Sequence, residues 1–216
     1  NPSFATSSSS SSSADSWSLL LENIFNKFPS DLSFTPLNLS FDKTETLETI
    51  SAQTGYEVIQ LENSLISGRV VSNYLPNNDY SKLQNWEGLL FPNTYQINVD
   101  ANGEEILQKL VDELEYRFSS LLESNTLPNW ISSPTEFFTI SSLIEAESKL
   151  DEDRPLVSSV IKNRLEDNMI LQIDATVLYS LQKRKSSVLL IDLQTDSPYN
   201  TYKYSGLPPT PISGFG

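Results

Sequence analysis

The tetrad Ser133-Pro134-Thr135-Glu136 spells the start of a helix, and no other stretch of the chain constrains its fold as tightly. Serine suits the N-cap, proline costs nothing at the first helical position, where its missing N–H would be unpaired anyway, and glutamate at the third completes a capping box. An apolar run follows. At about 100° per residue, Phe137, Ile140, Leu143, Ile144 and Leu150 share one arc of that helix, with Glu147 in the middle and Glu145 nearly opposite. Glu147 is therefore expected to face the interior or the floor of a cleft, and Glu145 to face solvent. A carboxyl held against apolar walls keeps its proton toward neutral pH, because burial penalises the charged form, and can then act as a general acid. The same spacing also suits a glutamate at the rim of the apolar face paired with Lys or Arg. The helical wheel does not choose between the two.

The chemistry is narrowed from another side by two absences, since the chain has neither Cys nor His. Thiolate nucleophiles, Ser-His triads and His-based metal sites are excluded, leaving carboxyl, Tyr and Lys to move protons. Acidic residues outnumber basic ones by 28 to 14, a net charge of -14, which argues against nucleic acid as a partner and disfavours an anionic membrane surface. A hydrophobic fraction of 38% suffices for a core. The absence of Cys leaves the redox compartment open. No apolar stretch approaches the ~18 residues of a membrane span. The only Met is Met169, so the sequence is expected to be a piece of a longer chain whose missing segments can hold a membrane anchor.

Along the chain, residues 1–16, with serine at every position from Ser7 to Ser13, are expected to form a disordered linker. Helical spacing of Leu19, Leu20, Ile24, Phe25 and Phe28 predicts a short amphipathic helix over Trp17 to Phe28, ended by Pro29. Alternation over Leu37 to Phe41 predicts a strand, and Thr46 to Thr54 a helix closed by Gly55. Glu57 to Leu65 reads as a further helix, Asn77-Asn78-Asp79 as a surface turn, and Ile106 to Leu122 as a long core-facing helix. Together these give an α+β fold of mixed helices and short strands, with an N-terminal α+β part over 17–125 and a catalytic core over 126–216 carrying the acid helix.

Several segments resemble known motifs. Trp86-Glu87-Gly88-Leu89-Leu90-Phe91-Pro92-Asn93-Thr94-Tyr95 resembles the EGxLFPDTY segment of the MltG/YceG-like family, with Asn93 in place of Asp. Ser141 to Ser148 resembles the family's ASIIEKET helix, Arg154 to Arg164 its ERPLVASVFxNRL segment, and Met169 to Leu181 its MxLQsDPTVxYAL segment. Asp196 to Gly216 resembles SPYNTYxxxGLPPGPIxNPG. The motifs keep the family's order over residues 37–216. Ala175 stands for the usual Pro, Thr210 for a Gly, and Gly214-Phe215 for an Asn-Pro ending. The family's usual C-terminal stretch, which contains a His, is not in this sequence, so the resemblance leads us to expect a piece truncated at that end.

The resemblance implies a YceG-like domain with a lysozyme-like catalytic helix, in an endolytic peptidoglycan transglycosylase at the extracytoplasmic face of a bacterial cytoplasmic membrane, anchored by one span in the full-length parent. Its catalytic glutamate, the second of EKET, falls on Glu147, followed by Ser148 in a Glu-Ser pair. Glu147 would protonate the oxygen between MurNAc and GlcNAc and then, as carboxylate, take the proton of the MurNAc C6 hydroxyl as a 1,6-anhydro ring closes. One carboxyl suffices, whereas a hydrolase needs two, and because the substrate supplies its own nucleophile the resemblance implies no metal or cofactor. Gln172, Asp174 and Thr176 match LQsDPT, and Tyr199, Asn200 and Tyr202 match YNTY; these are the candidates for lining a saccharide cleft. Structural roles stay open for them: helix N-cap for Asp174, loop packing for the two tyrosines, a turn for Asn200. Glu145, Ser148, Glu87 and Arg164 are expected to be structural, Glu87 by binding backbone amides and fixing a turn, and Arg154 and Arg164 by ion pairs or carbonyl caps near the catalytic helix, with contact to the substrate's peptide carboxylates as the alternative for the two arginines. Asp151-Glu152-Asp153 should favour the start of the following helix. The expected partners are glycan strands of peptidoglycan and, by resemblance, the cell-wall synthesis machinery. Two other readings are a peptidoglycan-binding module without catalysis, and a hydrolase pairing Glu147 with a carboxyl such as Asp174.

Overall fold

A computed structural model describes residues 43–98, 100–182 and 187–215. The linker over 1–16, the helix over Trp17 to Phe28 and the strand over Leu37 to Phe41 lie outside them. Six helices follow in order: α1 Lys43–Thr54, α2 Val58–Ile66, α3 Gly103–Ser124, α4 Pro134–Glu147, α5 Arg154–Glu166 and α6 Asp174–Leu181. All regular elements among the described residues are helical, so the α+β expectation finds no strand there.

Local chemistry sets most of the boundaries. Gly55 closes α1 with φ +81°, a left-handed backbone that glycine adopts without steric cost, its N–H returning to the Ser51 carbonyl at 2.9 Å. Glu57 and Gln60 cap the start of α2 reciprocally. In α3 the Asn102 side chain accepts from Glu105 N at 3.0 Å while the Glu105 carboxylate accepts from Asn102 N at 3.0 Å. At the start of α4, Ser133 Oγ accepts from Glu136 N at 3.2 Å as expected. The other half of that box differs: the Glu136 carboxylate accepts from Ser132 N, at 2.7 Å, one residue outside the cap.

Helix α4 runs through the middle of the protein. Every residue from Phe137 to Ile144 is buried. On one side Phe138 meets Phe118 of α3, with ring centroids 4.8 Å apart, and Tyr74 at 5.4 Å; on another it stacks on Phe215 at 5.5 Å. Helix α5 and α6 also pack on α4, and α3 packs on α2. One apolar cluster runs from Leu47 to Phe215, so the parts expected on either side of residue 125 share a core. Gly88 shows how closely its segments approach: a Cβ there would lie 2.8 Å from Pro211 Cβ.

Candidate active site

A helix buried on all sides has no polar face, and this changes what the helical wheel can say about Glu145 and Glu147. The expectation that Glu145 faces solvent is overturned, and of the two places expected for Glu147, the interior or the floor of a cleft, the interior is not where it lies. Glu147, the last residue of α4, is exposed where the helix emerges from the core. Glu145 is the enclosed one, its side chain only 10% exposed and its carboxylate 3.0 Å from the Arg154 guanidinium at the start of α5. Arg154 also lies 3.4 Å from Asp151, in the 3₁₀ turn Asp151–Asp153 that leads into α5.

Exposure of the residue does not leave the Glu147 carboxyl in bulk water. Its pKa is raised above the ordinary glutamate value, first by the neighbouring protein that displaces water and then by the negative charge of Asp174. The pKa of Glu145 is raised too, mainly by burial, with Arg154 opposing the rise. Among the described residues no hydrogen bond or ion pair reaches the Glu147 carboxylate.

Opposite the end of α4 stands the start of α6. Asp174 is the first residue of α6 rather than its N-cap, which is Ile173 and makes no side-chain capping bond. The Asp174 carboxylate accepts instead from the Tyr202 phenol at 2.6 Å, and this bond is the first cause raising the Tyr202 pKa to about 12. Asp174 and Gln172 are exposed and Tyr202 is half-buried. Arg164, from α5, donates to the Leu171 carbonyl and so anchors the segment leading to Gln172. Gln172 has φ +54°. The other left-handed residues near it, Asn168 and Gln182, follow or close helices, whereas Gln172 closes none. Left-handed non-glycine residues of this kind collect at functional sites, where surrounding structure holds the strain.

Thr201 holds this segment in place: its carbonyl accepts from Gln172 N at 3.1 Å, and its hydroxyl accepts from Ile173 N at 3.0 Å and meets the Thr176 hydroxyl at 2.8 Å. Thr176 and Asn200 belong to that framework. Both are 0% exposed, so they do not line a cleft in this structure. Thr176 donates to the Ile173 carbonyl at 2.7 Å, and Asn200 donates to the Leu193 and Thr195 carbonyls at 3.0 and 2.8 Å. Tyr199 is half-buried, with its hydroxyl 2.8 Å from Thr210 Oγ1 and its ring 4.9 Å from that of Tyr179.

Further back, Glu87 is 2% exposed and ties three parts of the chain together. It accepts from the Lys43 backbone N–H at 2.8 Å and from the Tyr179 hydroxyl at 3.1 Å, the amide-binding role expected of it. Ser148 caps the end of α4, its N–H returning to the Ile144 carbonyl at 2.9 Å, with its hydroxyl buried. Thr201, Tyr179 and Ser142 escaped the sequence reading. Ser142 accepts from Ile212 N at 3.1 Å and so fastens the C-terminal segment to α4. A hydroxyl inside an apolar helical run is the signal that marks Ser142; no spacing rule announces that Thr176 and Thr201 meet.

Comparison with known proteins gives the chain its family. The model of the YceG-like family matches residues 16–216. An endolytic murein transglycosylase of Bacillus subtilis is 42% identical over 131 residues, 60% of this chain and 36% of that protein. One from Streptococcus pneumoniae R6 is 35% identical over 143 residues, 64% of this chain and 26% of that protein. The chain thus spans between about a quarter and a third of the length of these relatives. Among solved structures, a YceG-like protein of Listeria monocytogenes superposes with a TM-score of 0.72 at 31% identity, over 90% of this chain and 68% of that one.

Proposed function

The chain belongs to the YceG-like family, and from that membership we propose that it is the catalytic segment of an endolytic lytic transglycosylase, with Glu147 as its single acid and base. Its substrate would be the MurNAc-GlcNAc β-1,4 bond of nascent peptidoglycan strands. The observation that carries the proposal is the setting of Glu147: a carboxyl at the open end of a buried helix, with its pKa raised by the surrounding protein and by the charge of Asp174.

A protonated Glu147 donates to the glycosidic oxygen as the C1–O bond breaks, leaving oxocarbenium character on MurNAc and a free hydroxyl on GlcNAc. The resulting carboxylate accepts the C6 hydroxyl proton as O6 bonds to C1. The 1,6-anhydro end forms, the acid regains its proton, and no water is consumed. Gln172, Asp174, Tyr199 and Tyr202 are the expected saccharide contacts, with the strained backbone at Gln172 as support; Thr176 and Asn200 hold them in place. Such a substrate implies that the full-length protein acts at the extracytoplasmic face of the membrane, beside the synthesis machinery. Among the described residues no helix is long and apolar enough to cross a membrane.

Digestion of purified sacculi by the full-length protein in H₂¹⁸O tests this. Products with 1,6-anhydro ends and no ¹⁸O are expected. Reducing ends carrying ¹⁸O would replace the proposal with a hydrolase, and binding without products would replace it with a binding module.

A further inference from the structure

Gln172 stands in a left-handed conformation, φ +54°, between two buried residues, Leu171 at 2% and Ile173 at 5% exposure. Four backbone polar groups around it are tied down. The Leu171 carbonyl accepts from the Arg164 guanidinium, Gln172 N donates to the Thr201 carbonyl at 3.1 Å, Ile173 N donates to the Thr201 hydroxyl at 3.0 Å, and the Ile173 carbonyl accepts from the Thr176 hydroxyl at 2.7 Å. Two of these bonds end on Thr201, itself buried, whose hydroxyl also meets that of Thr176 at 2.8 Å. A left-handed backbone brings the β-carbon of an L residue close to the following carbonyl, so it persists only where surrounding contacts over-determine it.

A turn that needed only this shape has a less strained choice of residue. Glycine fills the left-handed positions 55, 68, 88 and 206, and three of the other four non-glycine ones are asparagine, a side chain that tolerates the conformation. The fourth, Gln182, closes α6, and its side-chain amide donates to the Tyr179 carbonyl at 2.9 Å. Gln172 does neither: it is exposed, and among the described residues its side-chain amide makes no hydrogen bond. The chain thus keeps a glutamine where the backbone favours glycine and leaves the amide open to a ligand. An amide offers one N–H donor group and one carbonyl acceptor, the complement of the C=O and N–H of the acetamido group on an N-acetylated sugar. We propose that Thr201 is a positioning residue for glycan binding, which holds Gln172 left-handed so that its free amide meets a sugar acetamido group already oriented. This rests on the reading of Gln172, Asp174 and Tyr202 as saccharide contacts. Orientation fixed before binding leaves less conformational freedom to be lost in the complex, and affinity rises accordingly.

The test is a double-mutant cycle on binding, with isolated uncross-linked glycan strands as the probe and full-length Glu147→Gln as the parent, so that no strand is cut during the titration. Thr201→Val keeps the shape of the side chain and removes the hydroxyl; it is expected to raise Kd about tenfold, on the scale of one or two lost hydrogen bonds. Thr201→Ser, which keeps the hydroxyl, is expected to stay within about twofold of the parent. Gln172→Gly adopts the left-handed backbone without strain but lacks the amide, and is expected to raise Kd by a similar factor to Thr201→Val. Added to Gln172→Gly, Thr201→Val then weakens binding by less than about twofold, because the two act through one contact. Should Thr201→Val fold poorly, Thr176→Val removes the other hydroxyl of the pair and is expected to act in the same direction by less. Strands stripped of their N-acetyl groups are expected to bind the parent and Gln172→Gly alike. Parent-like binding by Thr201→Val with a lowered urea midpoint overturns the proposal in favour of a purely structural role, and so does a loss that recurs undiminished in the Gln172→Gly background. De-N-acetylated strands that still distinguish the parent from Gln172→Gly overturn the acetamido contact. Binding needs no turnover, so failure of this proposal is distinguishable from failure of the transglycosylase reading, in which wild type binds strands and releases no 1,6-anhydro ends.

Discussion

Glu145 and Glu147 lie two residues apart on α4 and both hold their protons more tightly than an ordinary glutamate, yet burial reaches them differently. Glu145 is enclosed between α4 and α5 and has a cation to answer it, Arg154, whose side chain is only 11% exposed. Glu147 stands at the open end of the helix and faces Asp174. A buried carboxylate with a matched cation is a structural strut, because its ionised form is stabilised where it is. One facing an anion beside solvent is suited to give up a proton only when a ligand supplies a base. A raised pKa alone therefore does not tell the two glutamates apart; the sign of the neighbouring charge does.

The largest effect should come from the closed face. Arg154→Met strands Glu145 without its cation and is expected to destabilise the fold by about 3–5 kcal/mol, measured by urea unfolding. Replacing both partners, Glu145→Leu with Arg154→Met, should recover most of that loss, since an apolar pair needs no compensation. If the single variant costs under about 1 kcal/mol, the enclosed strut is wrong. Next is Gly88→Ala, which puts a Cβ 2.8 Å from the Pro211 side chain at φ +75° and should cost roughly 2–3 kcal/mol.

Asn200→Ala is expected to cost about 2 kcal/mol, because the Leu193 and Thr195 carbonyls lose their donor inside the protein. This variant sharpens the boundary between the two faces: Asn200 belongs to the same motif as Tyr202, but burial predicts loss of stability rather than loss of sugar binding. The smallest effect on stability is that of Glu147→Gln. A carboxyl whose pKa is higher in the folded than in the unfolded state contributes stability below its unfolded pKa, and that contribution is lost as pH rises through the folded pKa. Glutamine stays neutral and suffers no such loss, so at neutral pH the variant should match or slightly exceed wild type in urea.

Much of the helical frame was legible in the sequence because it is written in local chemistry. Gly55 ends α1, Ser133 and Pro134 open α4, and the stripe from Ile106 to Phe118 gives α3. The same local rules misplaced Glu145. A helical wheel assumes a helix with one wet side, and the buried run from Phe137 to Ile144 has none, so the direction of Glu147 was set by where the helix leaves the core. Asp174 was half legible: its place at the start of α6 followed from pattern, but its bond to Tyr202 joins residues 28 apart. The Thr176–Thr201 contact has the same character, a pairing fixed by tertiary packing rather than by spacing.

The most direct test of Glu147 as the acid sets it against its neighbour, by counting 1,6-anhydro ends released from sacculi by full-length Glu147→Gln and Glu145→Gln at matched folded protein. General acid catalysis contributes about 10²- to 10⁴-fold, so Glu147→Gln should lose activity on that scale with an unchanged urea midpoint, while Glu145→Gln should lose stability and keep a measurable rate. Persistent cleavage by Glu147→Gln, together with its disappearance in a well-folded Glu145→Gln, would contradict the account.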